Sequence, residues 1–241
     1  MVNLIVRIPN YSQLFVRCKL VVRQGHSIVH NTNNIPELDQ ITTNKQAVTD
    51  TQQILHNRVS SDEKKKKLLL LRERIQQIDN ISYKTDKLVF GEGNLDTKIM
   101  VIGEAPGEKE ESQLRPFVGK SGQLLRTMLH SAQLHDLYIT NIMPWRPPNN
   151  RTPSIEEMSI MKSYIEEHIN IIQPQILILV GGVAYMTITG NKTAISKVRG
   201  QIFQHNNIKT MAIFHPSYLL RAPANKRVTW NDLLCLTTLN K

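Results

Sequence analysis

The chain has 241 residues, with 30 lysine and arginine residues against 20 acidic residues and a formal net charge of +10. This length suits one well-buried α/β domain with an appendage, and the positive charge suits a polyanionic partner, for which nucleic acid fits best. Two cysteines cannot supply a disulfide framework, and no apolar stretch approaches the roughly 20 residues of a membrane span, so we expect a cytoplasmic protein with no membrane partner.

The first part of the chain differs in composition from the rest. Residues 1–58 are polar, rich in Asn, Thr and Gln after position 26, and lack a sustained helical or alternating period. This pattern predicts a flexible N-terminal extension with one short ordered piece at Leu14–Val22, followed by one folded domain over residues 59–241. Four basic residues and no acidic residue precede Glu37, so a mitochondrial targeting segment is the alternative to a cytoplasmic protein.

A helix is predicted at the start of the folded domain. Ser60-Ser61-Asp62-Glu63 has the pattern of a capping box and predicts a helix that runs to Ile78. The run Lys64–Lys67 on this helix has two interpretations, a DNA-contacting patch and a solvated helix face. We prefer the second, because charge runs on helices usually face water.

From Lys98 onward, apolar runs of strand length alternate with segments of helical period, which is typical of a mostly parallel sheet covered on both faces. The predicted strands are Ile99–Ile102, Leu137–Thr140, Ile176–Val180 and Thr210–Phe214, with a further small strand within Val198–Phe203. The predicted helices are Gly122–Ala132, Ser154–Ile171, Gly182–Thr189 and one near Val228–Leu239. We therefore expect an α/β fold, a three-layer α/β/α sandwich with a central, mostly parallel four-stranded sheet.

The most informative segment follows the first of these strands. The apolar run stops at Gly103-Glu104-Ala105-Pro106-Gly107, which predicts a tight turn with exposed backbone at the carboxyl edge of the sheet. Asn141 and His215 come directly after or at the end of two other predicted strands. Because the carboxyl ends of parallel strands share one edge, we expect these three segments to meet in one site.

Several ordered blocks carry a family resemblance: the Gly-Glu-Ala-Pro-Gly turn, Pro116–Gly119, Thr140-Asn141, residues 144–153 and His215–Arg221. In this order they resemble the uracil-DNA glycosylase superfamily, and most closely its family four. The resemblance spans residues 85–241 and implies a monofunctional glycosylase that flips uracil out of single- or double-stranded DNA. Such an enzyme hydrolyses the N-glycosidic bond and leaves an abasic site for base excision repair, and we expect it to act as a monomer.

The resemblance also implies roles for individual side chains. Phe117 is the wall on which the base stacks, Asn141 reads the hydrogen-bonding edge of uracil, and His215 donates to uracil O2 as negative charge develops there. Glu104 and Glu110 are the carboxylates implied in positioning the attacking water, with their roles undivided. Further positions are Gly103 and Ala105 for substrate, and Ser217, Leu219, Leu220, Arg221, Arg146 and Arg151 for DNA.

The sequence departs from the family pattern at several positions. Family-four members commonly hold an iron–sulfur cluster on four cysteines, but Trp145 and Met161 stand at two of those positions, and the other two fall near Asp79, where no cysteine exists. We therefore predict no metal and no cluster, with Trp145 and Met161 packing the space through apolar contacts. Leu114 and Asn149 stand where the family has glycine, and leucine is the less tolerant of a backbone conformation that glycine permits.

Two other functions are compatible with these residues. A catalytically decayed module that binds DNA or belongs to a phage-type DNA polymerase would bind uracil-containing and ordinary DNA equally. A nucleotide-binding enzyme that uses the glycine turn for phosphate is disfavoured, because no Walker or dinucleotide fingerprint is complete.

Overall fold

The computed structural model describes residues 2–7, 15–20 and 59–237. Within these ranges the chain forms one mixed sheet whose strands lie in the order β1-β2-β7-β8-β6-β4-β5-β3. The strands are β1 (Val2–Arg7), β2 (Phe15–Leu20), β3 (Glu92–Gly93), β4 (Ile99–Gly103), β5 (Leu137–Asn141), β6 (Ile176–Val180), β7 (Gln201–His205) and β8 (Ile208–Ile213).

The centre of the sheet is the predicted parallel unit. Strands β8, β6, β4 and β5 are neighbours and all run parallel, which confirms the predicted α/β class. The predicted strand count of four was too small for the whole sheet. Antiparallel β7 and β3 flank the central unit, and β2, within the predicted ordered piece, pairs with β7 and β1. Strand β1 is a second ordered piece of the predicted extension, which the sequence did not predict. The remaining residues of the extension lie outside the described residues, and the proposed boundary at residue 58 stays a prediction.

The central strands form because they are apolar on both faces. In β6, Ile178 and its alternate neighbours face one core layer, whereas Leu177 and Leu179 face the other, and all are buried. A strand that is buried on both sides has a continuous apolar sequence, and β6 has this pattern.

Strands β7 and β8 are joined by a two-residue hairpin turn. Asn206 and Asn207, which form this turn, both have positive φ, as a type I′ turn requires.

Helices cover both faces of the sheet, which gives the predicted three layers. They are α1 (Ser61–Gln76), α2 (Glu108–Gln113), α3 (Lys120–Ser131), α4 (Ile155–Ile172), α5 (Gly182–Thr189), α6 (Ile195–Val198), α7 (Pro216–Arg221) and α8 (Lys226–Thr237). Helices α1, α4 and α5 contribute to one core layer, and α3, α7 and α8 to the other. Among the described residues, no helix combines the length and apolar character needed to cross a lipid bilayer.

Helix α1 begins at the predicted cap but differs from the prediction in its lysine run. The Ser60 side chain accepts a hydrogen bond from the Glu63 amide at 3.2 Å. Lys64 is 4% exposed, so the prediction that the whole run lies on a solvated face was wrong for this residue. Its ammonium donates to the Leu95 carbonyl at 2.9 Å and to the Ile172 carbonyl, the last of α4, at 3.0 Å. The lysine therefore joins α1 to the end of α4.

Candidate active site

A cleft of about 420 Å³ opens where β4, β5 and β8 end. Its walls come from the loops after these strands, as expected for the carboxyl edge of a parallel sheet. Most residues predicted for the site line this cleft, namely Glu104, Ala105, Glu110, Phe117, Asn141, Arg151, His215, Ser217 and Arg221. Gly103, Leu219, Leu220 and Arg146 lie outside its lining.

Six further residues line the cleft although no individual site role was predicted for them: Pro106, Gly107, Ser121, Pro147, Asn150 and Tyr218. Asn150 and Tyr218 each adjoin a predicted residue, so their place in the same sequence blocks was an available signal. Ser121 lies in the first turn of α3, directly after the Phe117 turn. Its exposure to the cleft depends on how α3 starts, which the sequence block alone did not indicate.

Phe117 and Asn141 pack against the backbone of Gly103 at the base of the cleft. A Cβ atom on Gly103 would lie 2.3 Å from Asn141 Oδ1 and 2.4 Å from Phe117 Cζ, so a side chain at this position would displace one of them. Phe117 and Asn141 are each 5% exposed, and Asn141 ends β5. Gly103 thus contributes by having no side chain, and it lets an aromatic ring and a carboxamide meet.

Glu110 holds the loops of the cleft together. Its buried carboxylate accepts hydrogen bonds from the amides of Gly107 at 3.2 Å, Val118 at 2.9 Å and Gly119 at 2.7 Å. A carboxylate has few lone pairs left after three such bonds. The structure therefore gives Glu110 a loop-organising position, which leaves Glu104 as the candidate for the water-positioning role predicted for the two glutamates.

Glu104 follows β4 directly and is half-buried in the cleft. Burial raises the pKa of its carboxyl above the usual value, and a hydrogen bond with Thr152 opposes this rise in part. Burial disfavours the charged form of an acid, so the ionised carboxylate of Glu104 is more basic than that of an exposed glutamate. This is the property that a general base needs.

His215 caps the N-terminus of α7 and faces the same cleft. The Ser217 amide donates to His215 Nδ1 at 3.3 Å, and Ser217 Oγ lies 2.7 Å from the same nitrogen. Burial, reinforced by the charge of Arg221 and opposed by Glu110, lowers the His215 pKa to about 4. The ring is therefore neutral at pH 7, and because Nδ1 accepts from an amide, the proton resides on Nε2.

The residues predicted to contact DNA divide into two groups. Ser217 and Arg221 line the cleft, and Leu220 beside them is 44% exposed. Leu219, by contrast, is 1% exposed and belongs to the core layer beneath α7, so in this conformation it is not accessible for the DNA contact that was predicted for it. Because successive residues of a helix point in different directions, Leu220 is the apolar side chain that faces solvent here.

The two predicted arginines of the 144–153 segment are both engaged with carboxylates. Arg151 lines the cleft and forms a two-point ion pair with Glu157, with one N–O distance of 2.8 Å. Arg146 Nη1 lies 3.5 Å from Glu111 Oε2, and its Nε donates to Asn150 Oδ1 at 2.8 Å. Arg146 thus holds Asn150 in place from outside the cleft.

Comparison with known proteins shows which family this chain belongs to. The family model described as the uracil DNA glycosylase superfamily matches residues 90–234. The chain belongs to the uracil-DNA glycosylase superfamily. A type-4 uracil-DNA glycosylase of Thermotoga maritima is 42% identical over 152 residues, which cover 61% of this chain and 79% of that protein. One of Archaeoglobus fulgidus is 37% identical over 145 residues, covering 56% and 73%. The predicted likeness to family four is confirmed.

A more distant relative bears on the alternative of a polymerase-associated module. A DNA polymerase of Bacillus phage SP01 is 28% identical over 165 residues, which cover 67% of this chain but 18% of the polymerase. The type-4 uracil-DNA glycosylases are more similar and are matched over most of their length. The glycosylase relationship is therefore the better supported of the two.

The residues at the family's cluster positions do not fit an iron–sulfur cluster. Trp145 and Met161 are 1% and 2% exposed, and they share an apolar core layer with Ile78 and Ile81, which flank the region of Asp79. The Trp145 indole N–H donates to the Thr85 carbonyl at 2.9 Å. Cys235 belongs to the opposite layer. Within residues 59–237, no group of three or more acidic, histidine or cysteine side chains could hold a metal ion.

Proposed function

We propose that this protein is a uracil-DNA glycosylase that extrudes uracil from DNA and hydrolyses its N-glycosidic bond, leaving an abasic site. The observation that supports it most is the convergence of Glu104, Phe117, Asn141 and a neutral His215 on one cleft of a uracil-DNA glycosylase superfamily domain. A glycosylase must take its base out of the duplex, because the bond to the sugar is inaccessible within the stack.

The base is held by stacking and by its hydrogen-bonding edge. The ring of Phe117 offers a face to the extruded base, and the Asn141 carboxamide can donate to uracil O4 and accept from N3–H. Cytosine carries an amino group at C4 and no proton on N3, so it would leave both atoms of the carboxamide unsatisfied. Unpaired polar groups in such a pocket are the usual source of strong discrimination.

Bond cleavage places negative charge on the departing uracil and positive charge on the sugar. His215 donates from Nε2 to uracil O2, and it does so as a neutral donor because burial keeps its pKa at about 4. Glu104 accepts a proton from the attacking water and stabilises the cationic sugar. Glu110 fixes two loops of the cleft through hydrogen bonds from their amides: the loop after Glu104, at Gly107, and the turn that carries Phe117, at Val118 and Gly119.

The proposed partner is uracil-containing DNA, single- or double-stranded, bound by a monomer without a metal or cluster in the cytoplasm. The basic net charge of +10 and the cleft arginines support the DNA partner. Apolar packing of Trp145 and Met161 supports the proposal that no cluster is needed.

The experiment that tests this function is alkaline cleavage of a labelled oligonucleotide that carries one uracil. We expect strand scission with the wild-type protein and a loss on the order of a hundredfold to a thousandfold in His215→Ala, the usual effect of removing one transition-state donor. His205→Ala is the matched control, because His205 pairs with Glu166 at 3.0 Å away from the cleft.

The same assay tests the base reader. In Asn141→Asp, a protonated carboxyl can match the edge of cytosine, so we expect uracil release to fall and measurable release of cytosine to appear. Folded wild-type protein that binds DNA with and without uracil equally, and causes no scission, would refute the proposed function.

A further inference from the structure

The turn that carries Phe117 is held from two sides. On one side, the Glu110 carboxylate accepts from the amides of Val118 and Gly119. On the other side, the Arg126 guanidinium, from the middle of α3, donates to two carbonyls, from Nη2 to Pro116 at 2.8 Å and from Nε to Phe117 at 2.9 Å. An acceptor and a donor of opposite charge thus bind opposite edges of one short turn.

The turn needs such support because its conformation is unfavourable. Phe117 has φ of 55°, in the left-handed region that is unfavourable for a residue with a side chain. The turn also packs so closely on α3 that a Cβ atom on Gly122 would lie 2.1 Å from the Phe117 carbonyl carbon. Strained backbone persists only where the surroundings determine it from several directions.

Arg126 is itself held in place by Glu92, which lies on the edge strand β3. The two side chains form an ion pair, and Arg115 binds the same carboxylate, with a distance of 2.6 Å from Nε to Oε2. Burial opposes ionisation of Glu92, but the hydrogen bond from Arg115 and the charge of Arg126 hold its pKa below the usual value. Glu92 is therefore charged at neutral pH, and it anchors the guanidinium that binds the turn.

We propose that Arg126 is a positioning residue for catalysis, which holds the Phe117 wall in its strained conformation, and that Glu92 orients Arg126 for this task. Neither residue lines the cleft, and neither contacts the base; both act through the main chain of the turn. This inference rests on the proposed function, because the Phe117 ring matters only if a flipped base stacks on it.

The test is a double-mutant cycle on the rate of uracil release. We expect Arg126→Met to lower kcat/KM by roughly tenfold to a hundredfold, since misplacement of a binding group by about 1 Å can cost this much. Arg126→Lys keeps the charge and one donor and should recover part of the loss. In a Phe117→Ala background, Arg126→Met should have little further effect, because the wall that it positions is gone.

Arg72→Met is the matched control, because Arg72 is an exposed arginine of α1, which packs in the other core layer. We expect this variant to keep kcat/KM within about twofold of wild type, as for most surface changes. Losses from Arg126→Met and Phe117→Ala that multiply in the double variant, or full activity of Arg126→Met, would overturn the proposal.

A measurement without substrate separates this proposal from the proposed function. Hydrogen exchange of the peptide that contains Val118 and Gly119 should accelerate in Arg126→Met and stay unchanged in Arg72→Met, whether or not the protein releases uracil. Wild-type protein with no uracil release would refute the function but would leave this exchange result interpretable. Unchanged exchange in Arg126→Met would overturn the positioning role.

Discussion

Burial acts on the two chemical groups of the cleft in opposite directions. It lowers the pKa of His215 to about 4 and raises the pKa of Glu104 above its ordinary value of 4.5. Both shifts have the same cause, because a poorly hydrated site disfavours whichever form is charged. At neutral pH the histidine is an uncharged donor, and on acidification Glu104 takes up its proton at a higher pH than an exposed glutamate would.

The raised pKa of Glu104 predicts how the rate of uracil release depends on pH. The rate of uracil release should decline as the pH falls through the raised pKa of Glu104, because only the ionised carboxylate can accept a proton from water. Single-turnover rates between pH 4.5 and 8 would measure the decline. Glu104→Gln should react far more slowly and show no such decline, whereas Glu108→Gln, an exposed neighbour, should retain it. A decline that persists in Glu104→Gln would assign the titration to another group.

For single residues, the sequence predicted which side chains line the cleft better than it predicted what each side chain does there. Glu104, Asn141 and His215 were predicted because each lies at or just after the end of a strand and matches a family block. The role of Glu110 could not be predicted, because its three amide partners are set by how two loops fold around it. Leu219 and Leu220 are equally apolar, and only the rotation of α7 decides which of them is buried.

Helix α2 ends in a way that predicts a stabilising substitution. Leu114, its C-terminal cap, has φ of 53° and is 48% exposed. The left-handed backbone conformation is therefore unfavourable for this leucine, and burial of its side chain does not offset the cost. Leu114→Gly should therefore raise the free energy of unfolding by about 1 kcal/mol. Urea denaturation would measure the change. Gln113→Gly, one residue earlier within the helix, should instead lower it by roughly 0.5–1 kcal/mol, and equal effects of both substitutions would contradict this reasoning.

One buried lysine contributes to the contact between α1 and the end of α4. Lys64→Ala removes the donor for the Leu95 and Ile172 carbonyls and leaves them without this partner. We expect the free energy of unfolding to fall by about 2–3 kcal/mol, as for hydrogen bonds with a charged partner. Lys66→Ala, at an exposed position two residues along, should change it by less than about 0.5 kcal/mol. Urea denaturation of both variants would show whether the buried position is the one that matters.

The elements that the sequence predicted well are those with a continuous physical signal. The central strand β6 was predicted to the residue, because burial on both faces makes it an unbroken apolar run. Strand β3 was missed, since Glu92-Gly93 has no apolar pattern and becomes a strand only by pairing with β5. Helices α2 and α7 were also missed, because six residues are too few for a helical period to be evident.

For the whole molecule, the net charge of +10 predicts salt-dependent DNA binding. The logarithm of the association constant should fall linearly with the logarithm of salt concentration, and Arg221→Ala should reduce the slope by about 1 if Arg221 neutralises one phosphate. Fluorescence anisotropy with labelled uracil-DNA would measure it, in Glu104→Gln protein so that the substrate is not consumed. Arg74→Ala should leave the slope unchanged, because Arg74 pairs with Glu167 on α4 at 2.7 Å. The same slope in both variants would remove Arg221 from the DNA interface.

The order of strands in the sheet also bears on when the protein becomes active. Glu104, Phe117 and Asn141 come from the stretch that follows β4 and ends with β5, whereas His215 follows β8, which pairs with β6 in the sheet. During translation, the residues of the stacking wall and of the base reader are therefore synthesised before the histidine. Chains that end before His215 therefore lack the proposed donor to uracil O2, so we expect a truncated product of translation to release no uracil.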